Sequence, residues 1–169
     1  MSAGARRLLG TLSGLSACHH MSNKALNEMT RREWRELGFF YDLDKHRKEW
    51  QLVGSRSGLF RFRDLLLEYV AKPRHETLSE HDHYGPYSYL KVLTWSEPGI
   101  DGNAIYGALA DLRRLASIIQ AKLQDAQPGS VLRIQDEFAD GCEYCLVLDV
   151  RDEGFDPASA DAELSKGAG

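Results

Sequence analysis

Hydrophobic residues recur with the 3.6-residue period of a helix in two segments of the chain. In residues 57–73 one face carries Leu59, Phe62, Leu65, Leu66, Tyr69 and Val70. In residues 107–129 the stripe consists of Leu112, Leu115, Ile119 and Leu123. Both patterns predict amphipathic α-helices that pack one side onto a flat surface. Pro73 is expected to end the first helix.

The two helical segments coincide when Gly54 is set over Gly107. Leu59 then falls on Leu112, and Leu66 falls on Ile119. A short strand-like run precedes each helix ("WQLVG" and "NAIYG"), and another follows each ("YSYLKVLTW" and "SVLRIQDEF"). We therefore predict a pseudo-duplicated strand–helix–strand unit.

Alternating hydrophobic residues predict two further strands, in residues 37–42 and 144–150. The turn "ADG" at residues 139–141 predicts that the second of these forms a hairpin with the preceding strand. Paired strands on both sides of each helix favour an α+β fold. In that fold a mostly antiparallel sheet carries two amphipathic helices packed on one face.

The composition indicates one globular domain. The chain has 169 residues, of which 43% are hydrophobic and 27% charged. We place a single α+β domain at residues 31–152, after a disordered or mis-called N-terminal extension at residues 1–30. Residues 153–169, rich in Ala, Asp, Ser and Gly, are expected to be a flexible C-terminal tail. The net charge of −4 argues against a nucleic-acid partner. No apolar run approaches the roughly 18 residues of a membrane span.

The N-terminal sequence allows two interpretations. "LSAC" resembles a bacterial lipoprotein cleavage box, with Cys18 as the lipidated residue. The preceding apolar segment is diluted by Gly, Ser and Thr, which is poor material for a signal sequence. The other interpretation is a start codon assigned too early, because Met21 and Met29 lie closer to the globular pattern. The second interpretation, which we favour, predicts a cytoplasmic protein; the first predicts a lipid-anchored periplasmic form.

The remaining cysteines, Cys142 and Cys145, form a single C-x-x-C that has no second pair to complete a zinc site. They fall in a predicted hairpin and strand, where positions three apart point to opposite faces. A redox pair would be expected at the start of a helix. We expect no role for them.

If both helices cover one face of the sheet, strand alternation identifies the side chains on the free face. Leu90 and Val92 have the parity of a helix-packed core. The opposite parity carries aromatics interrupted by a lysine: Tyr87, Tyr89, Lys91, Leu93 and Trp95. This surface favours protein–protein contact, because Tyr and Trp bury large areas at low entropic cost. The alternative is that the N-terminal segment or the long loops cover these aromatics in a minor second core.

The segment "LSEHDHYGPYSYLKVLTW" contains the candidate metal ligands. A metal-binding protein or metal-dependent enzyme would use His81 and His83 together with His75, because H-x-H places two imidazoles on one side of an extended strand. No HExxH motif, second histidine cluster or well-placed cysteine completes such a site. We keep this as the alternative and expect no cofactor.

The same segment is also weak as a catalytic loop. Glu80 and Asp82 could be a carboxylate pair, but no nucleophile elbow, phosphate-cradling loop or dinucleotide fingerprint accompanies them. We favour a rigid loop, turned by Gly85, whose rim carries His83 and Tyr84 as contact residues. We therefore expect a protein that is not an enzyme.

Four segments resemble a small family of bacterial proteins, the predicted immunity proteins of polymorphic toxin and contact-dependent inhibition systems. They are "ELGFFYD", "EWQLVGSRSGLFRFRDLLLEYV", "LSEHDHYGPYSYLKVLTW" and "GNAIYGALADLRRLASIIQAKL". The resemblance covers about residues 35–150. Its most distinctive piece is "SEHDHYGPYSYLK" with the later pattern I-x-G-x(4)-L-x(2)-L, from Ile105 to Leu115. It implies a non-enzymatic inhibitor that binds a cognate toxin domain, and it supplies no catalytic residues.

Carboxylates around the last hairpin fit such an inhibitor, because a nuclease toxin would be basic near its active site and acids would steer association. We expect a monomer or weak homodimer; a surface that holds a homodimer is a further alternative. The predicted partner-binding residues are His81, His83, Tyr84, Tyr87, Tyr89, Lys91, Trp95, Asp136, Glu137, Asp140 and Glu143.

Overall fold

The computed structural model describes residues 22–166. Four α-helices and eight strands make up the fold, and short 3₁₀ turns lie at Pro73–Glu76 and Pro157–Ala160. In chain order the elements are α1 (Asn23–Leu37), β1 (Phe40–Asp44), β2 (Glu49–Ser55), α2 (Arg56–Ala71), β3 (His81–Tyr84), β4 (Leu90–Thr94), β5 (Gly99–Ile100), β6 (Ile105–Gly107), α3 (Leu109–Gln124), β7 (Val131–Ile134), β8 (Cys145–Arg151) and α4 (Ala162–Ser165).

The two predicted helices, α2 and α3, have local signals that start and stop them. The Ser55 hydroxyl caps α2 by accepting a hydrogen bond from the Gly58 amide at 3.0 Å. At the start of α3 the Asp111 carboxylate accepts one from the Ala108 amide at 3.0 Å. Pro73, which has no amide hydrogen, follows α2. The amphipathic prediction is confirmed, because the buried residues are Leu59, Phe62, Leu66, Tyr69 and Val70 on α2 and Leu112, Leu115, Ala116, Ile119 and Leu123 on α3.

The strands form two four-stranded sheets, whereas the sequence predicted one. Sheet A has the order β1-β2-β8-β7 and sheet B the order β3-β4-β6-β5. In each sheet the two central strands are parallel and the outer strands antiparallel to them, so four of the six pairings are antiparallel. Helix α2 packs on sheet A, α3 packs on sheet B, and the two helices pack against each other. The α+β class with mostly antiparallel strands is confirmed.

The predicted duplication is a hairpin–helix–hairpin unit that occurs twice, first as β1-β2-α2-β3-β4 and then as β5-β6-α3-β7-β8. Helix α2 begins at Arg56 and α3 at Leu109, which is the same 53-residue offset that relates Gly54 to Gly107. The strand matching needs a correction. Strands β4 and β8 both occupy central, parallel positions, so "YSYLKVLTW" corresponds to "YCLVLDV" and not to "SVLRIQDEF". Each sheet therefore combines the first hairpin of one unit with the second hairpin of the other.

One hydrophobic core joins both sheets to the three long helices. Its fully buried members include Leu52 and Leu148 from sheet A and Leu90 and Ile105 from sheet B. Two hydrogen bonds also connect the sheets. The Trp50 indole donates to the Asp101 carbonyl at 2.7 Å, and the Tyr144 amide donates to the Ile100 carbonyl at 3.1 Å.

The predicted domain limits were too narrow at both ends. Helix α1 begins inside the supposed N-terminal extension, and its Trp34 is completely buried. The supposed flexible tail packs on this helix: Ala158 and Leu164 are buried, and Arg35 donates two hydrogen bonds to the Asp156 carboxylate at 3.1 and 3.0 Å. A few apolar side chains at defined positions hold this segment despite its polar composition.

The possible lipidation site, Cys18, lies outside the described residues. Between residues 22 and 166, none of the helices has the length and apolar composition that a bilayer crossing requires.

Candidate functional site

The predicted alternation along β4 agrees with the burial of its side chains. Leu90 and Val92 are 0% exposed and belong to the core, whereas Tyr89 is 69% and Trp95 43% exposed on the opposite parity. The helices therefore cover the Leu90 side of sheet B and leave the other side uncovered.

That uncovered side, called here the outer face of sheet B, consists of Tyr89, Lys91, Leu93, Trp95, His81, His83 and Tyr106. The strand register sets the cross-strand neighbours. His83 lies opposite Lys91, His81 opposite Leu93, and Leu93 opposite Tyr106. The structure thus brings together five of the predicted partner-binding residues, because β3 and β4 pair in antiparallel register.

His81 and His83 lie side by side on this face, with ring centroids 5.1 Å apart and ring planes at 88°. The Nδ1 atom of His81 lies 2.9 Å from the Ser79 carbonyl oxygen, and that of His83 lies 2.9 Å from the Ser88 carbonyl oxygen. Both rings are therefore held by the backbone of their own loop. Gly85, at φ +83°, forms the turn as predicted; a side chain there would collide with the ring of Tyr41.

His75 lies on the opposite side of β3 and cannot join the other two histidines. It is completely buried, its ring stacks on Tyr69 at 3.7 Å, and its Nδ1 lies 2.7 Å from the Tyr69 carbonyl oxygen. Its Nε2 lies 3.3 Å from Asp82, whose side chain points to this side of the strand. The three-histidine metal site is therefore not formed. Across residues 22–166, no group of three His, Cys, Asp or Glu side chains is placed to hold a metal ion.

Asp82 also binds the two cations of the preceding turn. Lys72 Nζ donates to it at 3.1 Å and Arg74 at 2.9 Å. Burial acts to raise the pKa of Asp82, but these hydrogen bonds and the nearby positive charges outweigh it and bring the pKa below the ordinary aspartate value. Asp82 is therefore an anchor of this turn and does not form a catalytic pair with Glu80, which contacts Arg74 at 3.6 Å.

Tyr84 is on the inner side of β3, opposite Leu90, and packs partly buried against the core. Burial raises its pKa, and the charge of Asp82 adds to the effect. The residue is therefore not at the rim of the loop, where the sequence placed it beside His83.

An open aromatic groove of about 720 Å³ lies next to Tyr89. Its floor is made of three buried aromatic residues, Trp34, Tyr41 and Trp50, and one wall is made of Tyr87 and Tyr89. The rings of Tyr87 and Tyr89 lie 6.0 Å apart at 30°. Parts of β1, the β5–β6 turn and the C-terminal segment complete the groove. Its volume is in the range of sites that take a small molecule or the side chains of a partner.

The Asp161 carboxylate organises one end of this aromatic groove. Its Oδ2 accepts hydrogen bonds from the Trp34 indole at 2.8 Å and from the Tyr87 hydroxyl at 2.7 Å. Its Oδ1 accepts one from the Glu163 amide at 3.0 Å. Burial, followed by this bond to Asp161, raises the pKa of Tyr87. The C-terminal segment thus partly covers Tyr87, in line with the second-core alternative for that one residue, while Tyr89 and Trp95 stay exposed.

The predicted acidic residues lie together on the β7–β8 connection. Asp136, Glu137, Asp140 and Glu143 are all exposed. Glu137 pairs with Lys122 at 3.2 Å and Glu143 with Lys48 at 3.5 Å. The connection contacts β5 through the hydrogen bond to Ile100, so the acids border the edge of sheet B that lies away from β3. The β7–β8 hairpin is present as predicted, with a longer connection than the "ADG" turn alone.

The two cysteines of the C-x-x-C differ in position: Cys142 is half-buried in this connection and Cys145 is buried at the start of β8. Burial raises the pKa of both thiols. Both therefore stay protonated at neutral pH, the less reactive form.

The sequence interpretation missed the floor of the aromatic groove. Trp50 could have been assigned to the inner face of β2, because it has the parity of Leu52. Asp161 precedes Ala162 and Glu163 in the manner of a helix N-cap, which was a signal for local structure in the supposed tail. That Trp34 meets these residues follows only from the packing of α1.

Comparison with known proteins gives no relative that bears on this arrangement: no family model, no curated protein and no solved structure matches the chain.

Proposed function

We propose that this chain is an immunity protein that binds and neutralises a cognate bacterial toxin domain through the outer face of sheet B and the adjoining aromatic groove. One observation carries the proposal. Along β4 the core side is completely buried, while the opposite parity presents Tyr89 and Trp95 to solvent.

Exposed aromatics on a flat strand surface suit a protein partner. Large exposed apolar patches mark interaction sites, and Tyr and Trp are enriched among the residues that dominate binding energy. Tyr89 and Trp95 flank β4, so Lys91 and Leu93 extend the same row between them. The row is about 20 Å long at the usual rise per strand residue, which is the scale of a protein–protein contact.

The acidic connection supports the same kind of partner. Within residues 22–166, neither Asp136 nor Asp140 has a cation within ion-pair distance, so both charges remain available to a basic surface. Complementary charge raises association rates and helps to select the partner. The resemblance of residues 35–150 to predicted immunity proteins supports the assignment of a toxin as that partner.

A neutralisation assay tests this proposal. The toxin domain comes from the reading frame immediately upstream, and its expression should arrest a bacterial host that co-expression of this chain rescues. Tyr89→Ala and Trp95→Ala should each weaken binding by roughly tenfold or more, the effect of removing an interface anchor. Leu67→Ala is the matched control, because Leu67 is a similarly exposed apolar residue on α2.

Binding is measured by calorimetry and folding by cooperative thermal unfolding. If the Leu67 variant loses as much affinity as the two aromatic variants, or if none of them loses any, the outer face of sheet B is not the docking surface. If the upstream domain is neither bound nor neutralised, the immunity function itself is wrong.

A further inference from the structure

Asp161 is a buried carboxylate without a counter-ion in the described part of the chain. It is 3% exposed, and its three hydrogen bonds come from an indole, a hydroxyl and a backbone amide. Among residues 22–166, no Lys, Arg or His nitrogen lies within ion-pair distance of it; the nearby Lys166 pairs with Glu163 instead. Charged groups in protein interiors are normally paired, because an uncompensated buried charge is costly.

The polar groups of the groove floor offer no hydrogen to a ligand. The Trp34 indole and the Tyr87 hydroxyl donate to Asp161. The Trp50 indole donates to the Asp101 carbonyl, and the Tyr41 hydroxyl donates to the Tyr84 carbonyl at 2.6 Å. A visitor therefore meets aromatic faces and carboxylate oxygens, which attract a cation that carries its own donors.

The charged residues along the groove have the same preference. Asp42, Asp161 and Glu163 contribute three carboxylates, against one cation, Lys45. Asp42 and Lys45 are exposed at the mouth, and Asp161 lies at the inner end. The site thus has a negative mouth and a negative, aromatic interior.

We propose that the aromatic groove binds a basic side chain of the partner protein, with a guanidinium stacked on Tyr87 or Tyr89 and directed at the carboxylates of Asp161 and Asp42. This rests on the proposed function, in which the partner is a toxin. Arginine fits better than lysine, because its planar group stacks on aromatic rings and keeps several donors available. The groove volume accommodates the long arginine side chain together with part of its backbone.

A pair of capped tripeptides, Gly-Arg-Gly and Gly-citrulline-Gly, tests the groove on the full chain without any toxin. The two differ by the charge and not by shape, so the arginine peptide should bind at least about tenfold more tightly. The indole N–H resonances of the three tryptophans locate the site. Those of Trp34 and Trp50 should shift, and that of Trp95 should not, because only the first two line the groove.

Asp42→Asn should reduce the affinity for the arginine peptide about three- to tenfold, and Tyr89→Ala should reduce it similarly. Asp136→Asn makes the same charge change on the acidic connection and should leave the affinity unchanged. Asp161→Asn adds a further reduction where it remains folded; the Asp42 variant decides the outcome where it does not.

Equal affinity for the two peptides, or equal losses from Asp42→Asn and Asp136→Asn, would overturn the proposal. A full chain carrying Arg6→Ala and Arg7→Ala covers the remaining occupant: tighter peptide binding by it would assign the groove to the chain's own N-terminal arginines and also overturn a partner role. Failure of toxin neutralisation together with selective arginine binding would sink the immunity function alone.

Discussion

At the scale of single residues, Asp82 shows how one carboxylate fixes a functional strand in place. It contacts Lys72, Arg74 and His75, all from the turn after α2, while its neighbours His81 and His83 point to the outer face of sheet B. Alternation along β3 thus ties one side of the strand to the core and leaves the other for contact.

Asp82→Asn should lower the free energy of unfolding at pH 7 by about 1–3 kcal/mol, because it weakens charged hydrogen bonds at a mostly buried position. The pKa of Asp82 is lower in the folded state, so its contribution is complete above the unfolded pKa of about 4 and disappears as pH falls through the lower folded value. Urea unfolding at pH 7, 5 and 3 measures this. The difference from the native chain should shrink at the lowest pH, and Asp140→Asn should change stability by less than about 0.5 kcal/mol. A difference that stays constant with pH would contradict the assigned role.

The side of each β3 residue could be predicted from alternation, but its surroundings could not. His81 and His83 share a face because they are two positions apart in a strand. The stacking of His75 on Tyr69 depends on how the 3₁₀ turn folds back over α2, a tertiary contact with no local signature in the sequence.

At the scale of elements, α1 and α2 meet through two glycines. Gly38 ends α1 at φ +93°, and its carbonyl lies where a β-carbon on Gly58 would be, 2.2 Å away. The first turn of α2 can therefore approach the end of α1 only because residue 58 has no side chain. This contact helps to position Trp34 over the aromatic groove.

Gly58→Ala should destabilise the protein by about 1–3 kcal/mol, because the added methyl group forces the two helices apart. The loss occurs despite the roughly 1 kcal/mol that alanine normally adds to a helix. Gly154→Ala is the control, since nothing lies within 4 Å of its β-carbon position. Chemical unfolding compares the two variants; a Gly58→Ala protein as stable as the native one would show that the helices adjust freely.

The helices were predictable and the sheets were not. The periodicity that defines α2 and α3 is local, and the shared register of Gly54 and Gly107 could be read directly. Pairing of β2 with β8 joins Glu49 to Cys145, and nothing within either strand specifies so distant a partner. The outer face of sheet B was found in advance because it depends only on alternation, whereas the aromatic groove depends on this distant pairing.

At the scale of the whole molecule, the two chain ends close one side of the structure together. Trp34 of α1 and Asp161 of the C-terminal segment are hydrogen-bonded, and Arg35 holds Asp156 nearby. Composition alone suggested flexibility for residues 153–169, because the rule averages over the segment. Pro157, Ala158 and Leu164 are buried one by one, which an average does not detect.

Deletion of residues 156–169 should lower stability by about 2–4 kcal/mol, because it removes these buried groups and the partners of Trp34 and Arg35. Exposure of Trp34 should also shift tryptophan fluorescence to longer wavelength. Deletion of residues 167–169 alone is the control and should change neither property. A shortened chain with native stability and emission would mean that the C-terminal segment is not part of the domain.

The exchange of hairpins between the two units has a consequence for any fragment of this protein. A chain ending near residue 97 would contain β2 and β4 but lack β8 and β6, so each strand would expose a bare parallel edge. A second copy of a hairpin–helix–hairpin chain would supply both missing edges at once. A single unit would therefore fold as an interlocked dimer, and separately made halves should assemble with each other more readily than either folds alone.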